Sequence, residues 1–210
     1  MDGVSRLLDN NRAWAMARRR QEPDCFWALS GTQSPRYMWI GCADSRVPET
    51  QITGLGPGEM FVHRTIANQV QLNDPNLAAA LELAVDVLSV EHVIVCGHTQ
   101  CMGVQATLDR NAPGCVERWL EPLAELAATH RAELKSRTRT GQIQRLAEIN
   151  VARGVQHLVE SETVQRAWRF GRPLQVHGWI YGIEDGLLRT LGVSSDGRDQ
   201  DRFLKQVLHA

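Results

Sequence analysis

Apolar residues recur along the chain in short bursts, and the spacing inside each burst predicts helices alternating with strands. Val4, Leu7, Leu8, Trp14 and Ala15 fall on one side of a helical wheel. They predict a helix over residues 4–21 with one apolar face, which Pro23 ends or follows. Tyr37-Met-Trp-Ile-Gly-Cys42 is a short apolar run bounded by Pro35 and a turn-rich segment, the pattern of a buried strand. A second strand is expected at Met60–Arg64, after the glycine-rich stretch Gly54–Gly58. Leu77, Leu81, Ala84, Val85 and Leu88 give helical periodicity over Asn76–Leu88, with Pro75 just ahead. His92-Val-Ile-Val-Cys96 reads as another buried strand, ended by Gly97. Val116 to Trp168 is mostly helical in pattern, Leu174 to Tyr181 returns to strand, and the tail from Arg198 is expected to close with a short helix.

Strands alternating with helices imply an α/β fold, a largely parallel sheet covered by helices on both faces. The 210 residues suit a single domain: an N-terminal helical arm over 1–30, a core over 31–190 and a C-terminal tail over 191–210. In such sheets ligands bind beyond the carboxyl ends of the strands, near the point where strand order reverses. Cys42 ends one predicted strand and His98 follows the end of another, so two distant segments deliver ligand-type residues to one edge.

Composition changes this picture little. The chain is 43% hydrophobic and 22% charged with a formal net charge of -1, which gives no pull toward nucleic acid or an anionic membrane. The short basic runs Arg18–Arg20 and Arg137–Arg139 sit near acidic residues and read as solvated helix ends. No apolar run approaches the roughly 20 residues that cross a bilayer. The first 23 residues lack a signal-peptide core, so a cytoplasmic location is expected.

The five cysteines, Cys25, Cys42, Cys96, Cys101 and Cys115, are odd in number and irregular in spacing, which argues against a disulfide framework. Taken singly, a cysteine at a strand end is a small core residue, and Cys25, Cys96 and Cys115 are read that way. The remaining two have company. In Cys42-Ala-Asp44-Ser-Arg46, residues two apart project to one side of an extended chain, and Arg46 can reach back to Asp44. In Gly97-His98-Thr-Gln-Cys101, a His and a Cys three apart on a tight turn can grip one ion. Two thiolates and an imidazole favour zinc, and three protein ligands leave the fourth position open, as at a catalytic site. Zinc makes a bound water acidic, giving hydroxide near neutral pH. Two thiolates weaken that Lewis acid, so Asp44 matters: it can accept the water's hydrogen bond or bind zinc itself as a fourth ligand in a closed state. Arg46, holding the carboxylate in a bidentate pair, selects between the two.

Trp39-Ile-Gly-Cys-Ala-Asp-Ser-Arg-Val-Pro48 and Cys96-Gly-His-Thr-Gln-Cys101 resemble the two signature segments of β-class carbonic anhydrases. The likeness continues through Gly58–Arg64, Ala67-Asn68 and His177–Gly182, and covers roughly residues 30 to 190. The resemblance implies reversible hydration of carbon dioxide to bicarbonate and a proton, one Zn2+ per chain on Cys42, His98 and Cys101, and an Asp44–Arg46 catalytic dyad. It implies that Gln33 donates a hydrogen bond into the pocket, often of the neighbouring subunit. It also implies a parallel sheet with one antiparallel edge strand, in a homodimer or homotetramer whose N-terminal helices clasp the partner. One subgroup carries a non-catalytic bicarbonate site of Trp, Arg and Tyr, matched here by Trp39, Arg64 and Tyr181. Bicarbonate there breaks the dyad and closes the Asp onto zinc, implying inhibition by bicarbonate and by low pH. Met102 stands where many relatives have glycine, Thr50 where glutamate is common, and Thr65-Ile66 where Asn-Val is usual. Two rival readings are hydrolysis of carbon disulfide or carbonyl sulfide on the same scaffold, and a structural or redox-sensing zinc module using Cys42 and Cys101.

Overall fold

A computed structural model describes residues 3–198. The expected helix beyond Arg198 lies outside them. The chain divides between Ser34 and Pro35 into two compact units.

The first unit holds α1 (Gly3–Gln21) and α2 (Cys25–Leu29). Trp14 packs edge-on against Phe26 at a centroid distance of 5.6 Å, with Arg19 over the same ring. Val4, Leu7, Leu8 and Met16 of α1 remain exposed.

The second unit is built on five strands: β1 (Tyr37–Cys42), β2 (Met60–Thr65), β3 (His92–His98), β4 (Gln175–Tyr181) and β5 (Leu188–Ser195). Their order is β2-β1-β3-β4-β5, all parallel except β5, which runs antiparallel to β4. Residue alternation sends Met38, Ile40, Val93, Val95, Val176 and Ile180 into the main core, and Trp39, Ile94, Cys96 and Tyr181 into a smaller core on the other face.

The helices between the strands are α3 (Glu49–Thr53), α4 (Pro75–Glu82), α5 (Met102–Asp109), α6 (Gly114–Thr129), α7 (Arg131–Lys135), α8 (Arg139–Glu160) and α9 (Glu162–Arg169). Ile52 of α3 packs on the smaller core, whereas α4, α5, α6, α8 and α9 all contribute to the larger one. The helix expected over Asn76–Leu88 is α-helical only to Glu82 and widens into a π turn over Leu83–Val87. It starts with Pro75 after Asp74, whose carboxylate accepts from the Asn76 amide at 3.0 Å.

α8 lies close on the sheet because glycines face its valines. A Cβ on Gly97 would come within 2.8 Å of Val151 Cγ2, and one on Gly178 within 3.1 Å of Val151 Cγ1. Gly154 of α8 does the reverse, admitting Val70 and Val95 at 3.0 and 3.1 Å from its virtual Cβ. This seating holds β3 and β4, and with them the chain that leaves β3 at His98.

Candidate metal centre

β1 and β3 are neighbours in register, Gly41 opposite Cys96, so their carboxyl ends lie side by side. Strand order reverses between them, since β2 lies beyond β1 on the other side. Cys42 is the last residue of β1 and His98 the last of β3; Cys101 precedes the first turn of α5. Their ligand atoms all lie within 4.8 Å of one another, and all three residues are buried. Among the described residues these three donors form the cluster, with no fourth protein ligand.

Two features show that the cluster suits a metal ion. His98 Nδ1–H donates to the Thr99 carbonyl at 2.8 Å, a partner that can only accept, which leaves Nε2 as the ring nitrogen available to a metal. That Nε2 is buried without a hydrogen-bond partner, a costly arrangement unless something binds it. The Cys42 and Cys101 sulfurs lie 3.9 Å apart and share a hydrogen bond. That bond draws the Cys42 thiol well below its ordinary pKa, with His98 adding to the effect, and together with burial it pushes Cys101 up. Two sulfurs, one of them drawn toward the thiolate, beside an unpartnered imidazole nitrogen form a set that fits zinc.

Asp44 faces this cluster, its Oδ2 3.7 Å from His98 Nε2. Arg46 fixes it: Nε donates to Oδ1 at 2.9 Å, Nη2 to Oδ2 at 2.7 Å, and the Arg46 amide to Oδ1 at 2.9 Å. These bonds hold the Asp44 pKa down at about 2, the side-chain hydrogen bonds of Arg46 being the main cause. Arg46 Nη2 also donates to the Gln100 carbonyl at 3.1 Å, tying the two ligand segments together.

A model of the carbonic anhydrase family matches residues 37–188. A carbonic anhydrase of Emericella nidulans is 38% identical over 194 residues, spanning 91% of this chain and 85% of the relative. A crystal structure from a study of two tetrameric β-carbonic anhydrases of Sordaria macrospora superposes with a TM-score of 0.90 at 38% identity, covering 93% of this chain and 100% of that one. The β-carbonic anhydrase CafA of Aspergillus fumigatus gives a TM-score of 0.90 at 40% identity over 99% of this chain and 98% of its own.

The chain belongs to the β-carbonic anhydrase family. Enzymes of this family hydrate carbon dioxide with zinc, and this β-carbonic anhydrase carries a Cys-His-Cys cluster suited to it. Among its described residues no helix is long and apolar enough to cross a membrane.

The other residues singled out from sequence are placed as follows. Trp39 and Tyr181 are buried together with Val47 in the smaller core. The Trp39 indole lies over Gly41, where any Cβ would collide with it. Arg64 reaches the loop after β1, donating from Nε to the Cys42 carbonyl at 3.0 Å and from Nη2 to those of Asp44 and Val47, both at 2.7 Å. Its Nη1 lies 3.7 Å from Glu49 Oε2. Gln33 is exposed in the first unit. Cys25 and Cys96 are buried, but Cys115 is exposed on α6, where Arg118 Nη2 donates to it, so it is no core thiol. All five cysteines are free, as the irregular spacing implies.

Met102, the departure from the family's glycine, is 73% exposed and meets no steric limit at the start of α5. The tight position is Gly103, whose virtual Cβ lies 3.0 Å from Ala67 Cβ. Val47, Thr99, Gln100 and Glu184, to which local sequence assigns no role, all bond within or onto the loops around the cluster. The one available signal was position: Glu184 follows β4, whose carboxyl end lies beside that of β3.

Proposed function

We propose that Cys42, His98 and Cys101 hold the zinc ion and that Asp44 and Arg46 form the dyad that works beside it on carbon dioxide. When bound, zinc supplies Lewis acidity that makes a coordinated water acidic near neutral pH. Asp44 accepts a hydrogen bond from the attacking water and so aims its lone pair at the carbon of carbon dioxide. Arg46 keeps the Asp44 carboxylate anionic and still, which spares the reorganisation a free carboxylate would need. Gln33, by resemblance, donates a hydrogen bond into the pocket, often of the neighbouring subunit. The observation that carries this reading is the unpartnered Nε2 of His98, buried beside two sulfurs and the Arg46-held carboxylate.

The same proposal extends to regulation. Arg64 bonds the Cys42 and Val47 carbonyls on either side of the dyad, and Val47 packs with Trp39 and Tyr181. Bicarbonate held by Trp39, Arg64 and Tyr181 competes for the Arg64 guanidinium and releases the Val47 carbonyl. The loop that carries Asp44 would then lose its anchor, and Asp44, freed from Arg46, would be the residue to supply a fourth ligand to bound zinc. Bicarbonate and low pH both favour that closed form.

Assembly as a homodimer or homotetramer is supported by the exposed apolar residues of α1 and by the tetrameric Sordaria relatives. A cytoplasmic, reducing setting suits a site that needs Cys42 and Cys101 as thiolates.

The test is stopped-flow carbon dioxide hydration on zinc-loaded protein from about pH 7 to about pH 9, spanning the range in which zinc-bound water ionises, with and without bicarbonate. Activity that rises steeply with pH, falls on adding bicarbonate and disappears with zinc in Cys42→Ala and His98→Ala is expected. Activity with neither steepness nor bicarbonate sensitivity keeps the enzyme and removes the regulatory site. No hydration at any pH, with one zinc bound per chain, overturns the dyad's role.

A further inference from the structure

We infer that Glu184 is a positioning residue for the metal centre, acting through Thr99 and Gln100, the two residues between His98 and Cys101. The inference rests on the metal site proposed above and deepens it.

Glu184 lies in the turn between β4 and β5, outside every segment that carries the ligands. Its carboxylate takes one donor at each oxygen: Thr99 Oγ1 donates to Oε2 at 2.6 Å, and Gln100 Nε2 donates to Oε1 at 2.7 Å. The Thr99 hydroxyl in turn accepts from the Ile183 amide at 3.0 Å, and the Thr99 amide donates to the Tyr181 carbonyl at 3.0 Å. Both linker residues are therefore clamped to the β4 end. The Thr99 bond is also the main reason the Glu184 pKa lies below the ordinary glutamate range.

What the clamp fixes is more telling than the clamp. The Thr99 carbonyl accepts from His98 Nδ1, which sets the tautomer and the plane of the imidazole. The Gln100 carbonyl accepts from Arg46 Nη2, which helps aim the guanidinium at Asp44. Gln100 holds this carbonyl with φ of +54°, a left-handed conformation that a non-glycine residue keeps only when its surroundings insist. Its side-chain bond to Glu184 supplies that insistence. One carboxylate thus orients a metal ligand through Thr99 and the dyad arginine through Gln100.

The experiment compares native protein with Glu184→Ala and with Glu162→Gln, a control carboxylate paired with Arg169 on the surface of α9. Zinc release to a chelator and the visible spectrum of the cobalt-loaded protein are read alongside the thermal midpoint. For Glu184→Ala we expect zinc release about tenfold faster, at the lower end of what loss of a supporting hydrogen bond costs a metal site, together with an altered cobalt spectrum. The control should match native protein in both. Glu184→Ala that releases zinc at the native rate and keeps the native cobalt spectrum overturns the inference, whatever its midpoint. Cys42→Ala that still binds zinc at native strength overturns the site itself, which is a separate failure.

Discussion

Arg64 donates to the Asp44 carbonyl at 2.7 Å, so a residue on β2 anchors the backbone of the carboxylate that faces the metal centre. Two further bonds, to the Cys42 and Val47 carbonyls, make the guanidinium the organiser of the whole loop after β1.

Removing that organiser should show in stability and regulation together. Arg64→Ala deprives three carbonyls of a charged donor, and a loss of about 2–3 kcal/mol in unfolding free energy is expected from denaturant titration. Arg64→Lys cannot reproduce the fork and should recover only part of it. Bicarbonate suppression should vanish in both. Full stability in Arg64→Ala would mean that water replaces the guanidinium at no cost.

Gly97→Ala tests the seating of α8. The added methyl meets Val151 and Ile180, at 2.8 and 3.0 Å before relaxation, directly beside His98. A destabilisation of about 1–3 kcal/mol follows from overpacking, with reduced zinc affinity because His98 must shift. Calorimetry and zinc titration measure the two effects separately, and a native zinc affinity would show that β3 yields elsewhere.

At the entrance to α5, the departure from the family pattern should be neutral. Met102→Gly is expected to leave activity near native and to change stability by about 0.5 kcal/mol or less, as for exposed positions generally. Gly103→Ala, pressing on Ala67 and Ile66, should lower both. The opposite ranking in hydration assays would place the steric limit at Met102.

A pH effect unconnected with the metal arises at the amino ends of β3 and β4. His92 Nδ1 and His177 Nε2 lie 3.2 Å apart, with Tyr37 stacked on His92, the Arg36–Glu91 ion pair next to it, and Trp179 against His177. Burial, and secondarily His92, push the His177 pKa below the ordinary histidine value. The unfolded chain therefore takes up the proton first. The neutral ring's contribution is complete above about pH 6.5 and declines as pH falls below it. Metal-free protein should lose stability to urea between about pH 7 and about pH 5.5, and His177→Gln should lose less over the same interval. Equal slopes in the two proteins would assign the effect to other groups.

Several parts of this molecule could be read from local sequence because local geometry decides them. Asp44 and Arg46 are two residues apart, and a bidentate pair across such a turn needs no distant help. β1 and β3 are buried on both faces, so their apolar runs stood out. β5 did not: only residue 193 and the final Ser195 are buried, Gly192 takes a left-handed conformation, and an edge strand open to solvent on one side leaves a weak pattern. The π turn at Leu83–Val87 was equally hidden, since a widened turn changes the hydrogen-bond partner and barely shifts the apolar spacing.

The sequence by itself determined the donor types, their spacing within each segment, and the strand ends on which they ride, because these follow from residue chemistry and from periods of two and 3.6. Only the tertiary structure decided that β1 and β3 are neighbours, that Arg64 serves the loop carrying Asp44, and that Glu184 steadies the link between His98 and Cys101. Those relationships join residues 20 to 85 positions apart. Nothing within either segment specifies such a pairing; it comes from the sheet order and from the packing of α8 that fixes it.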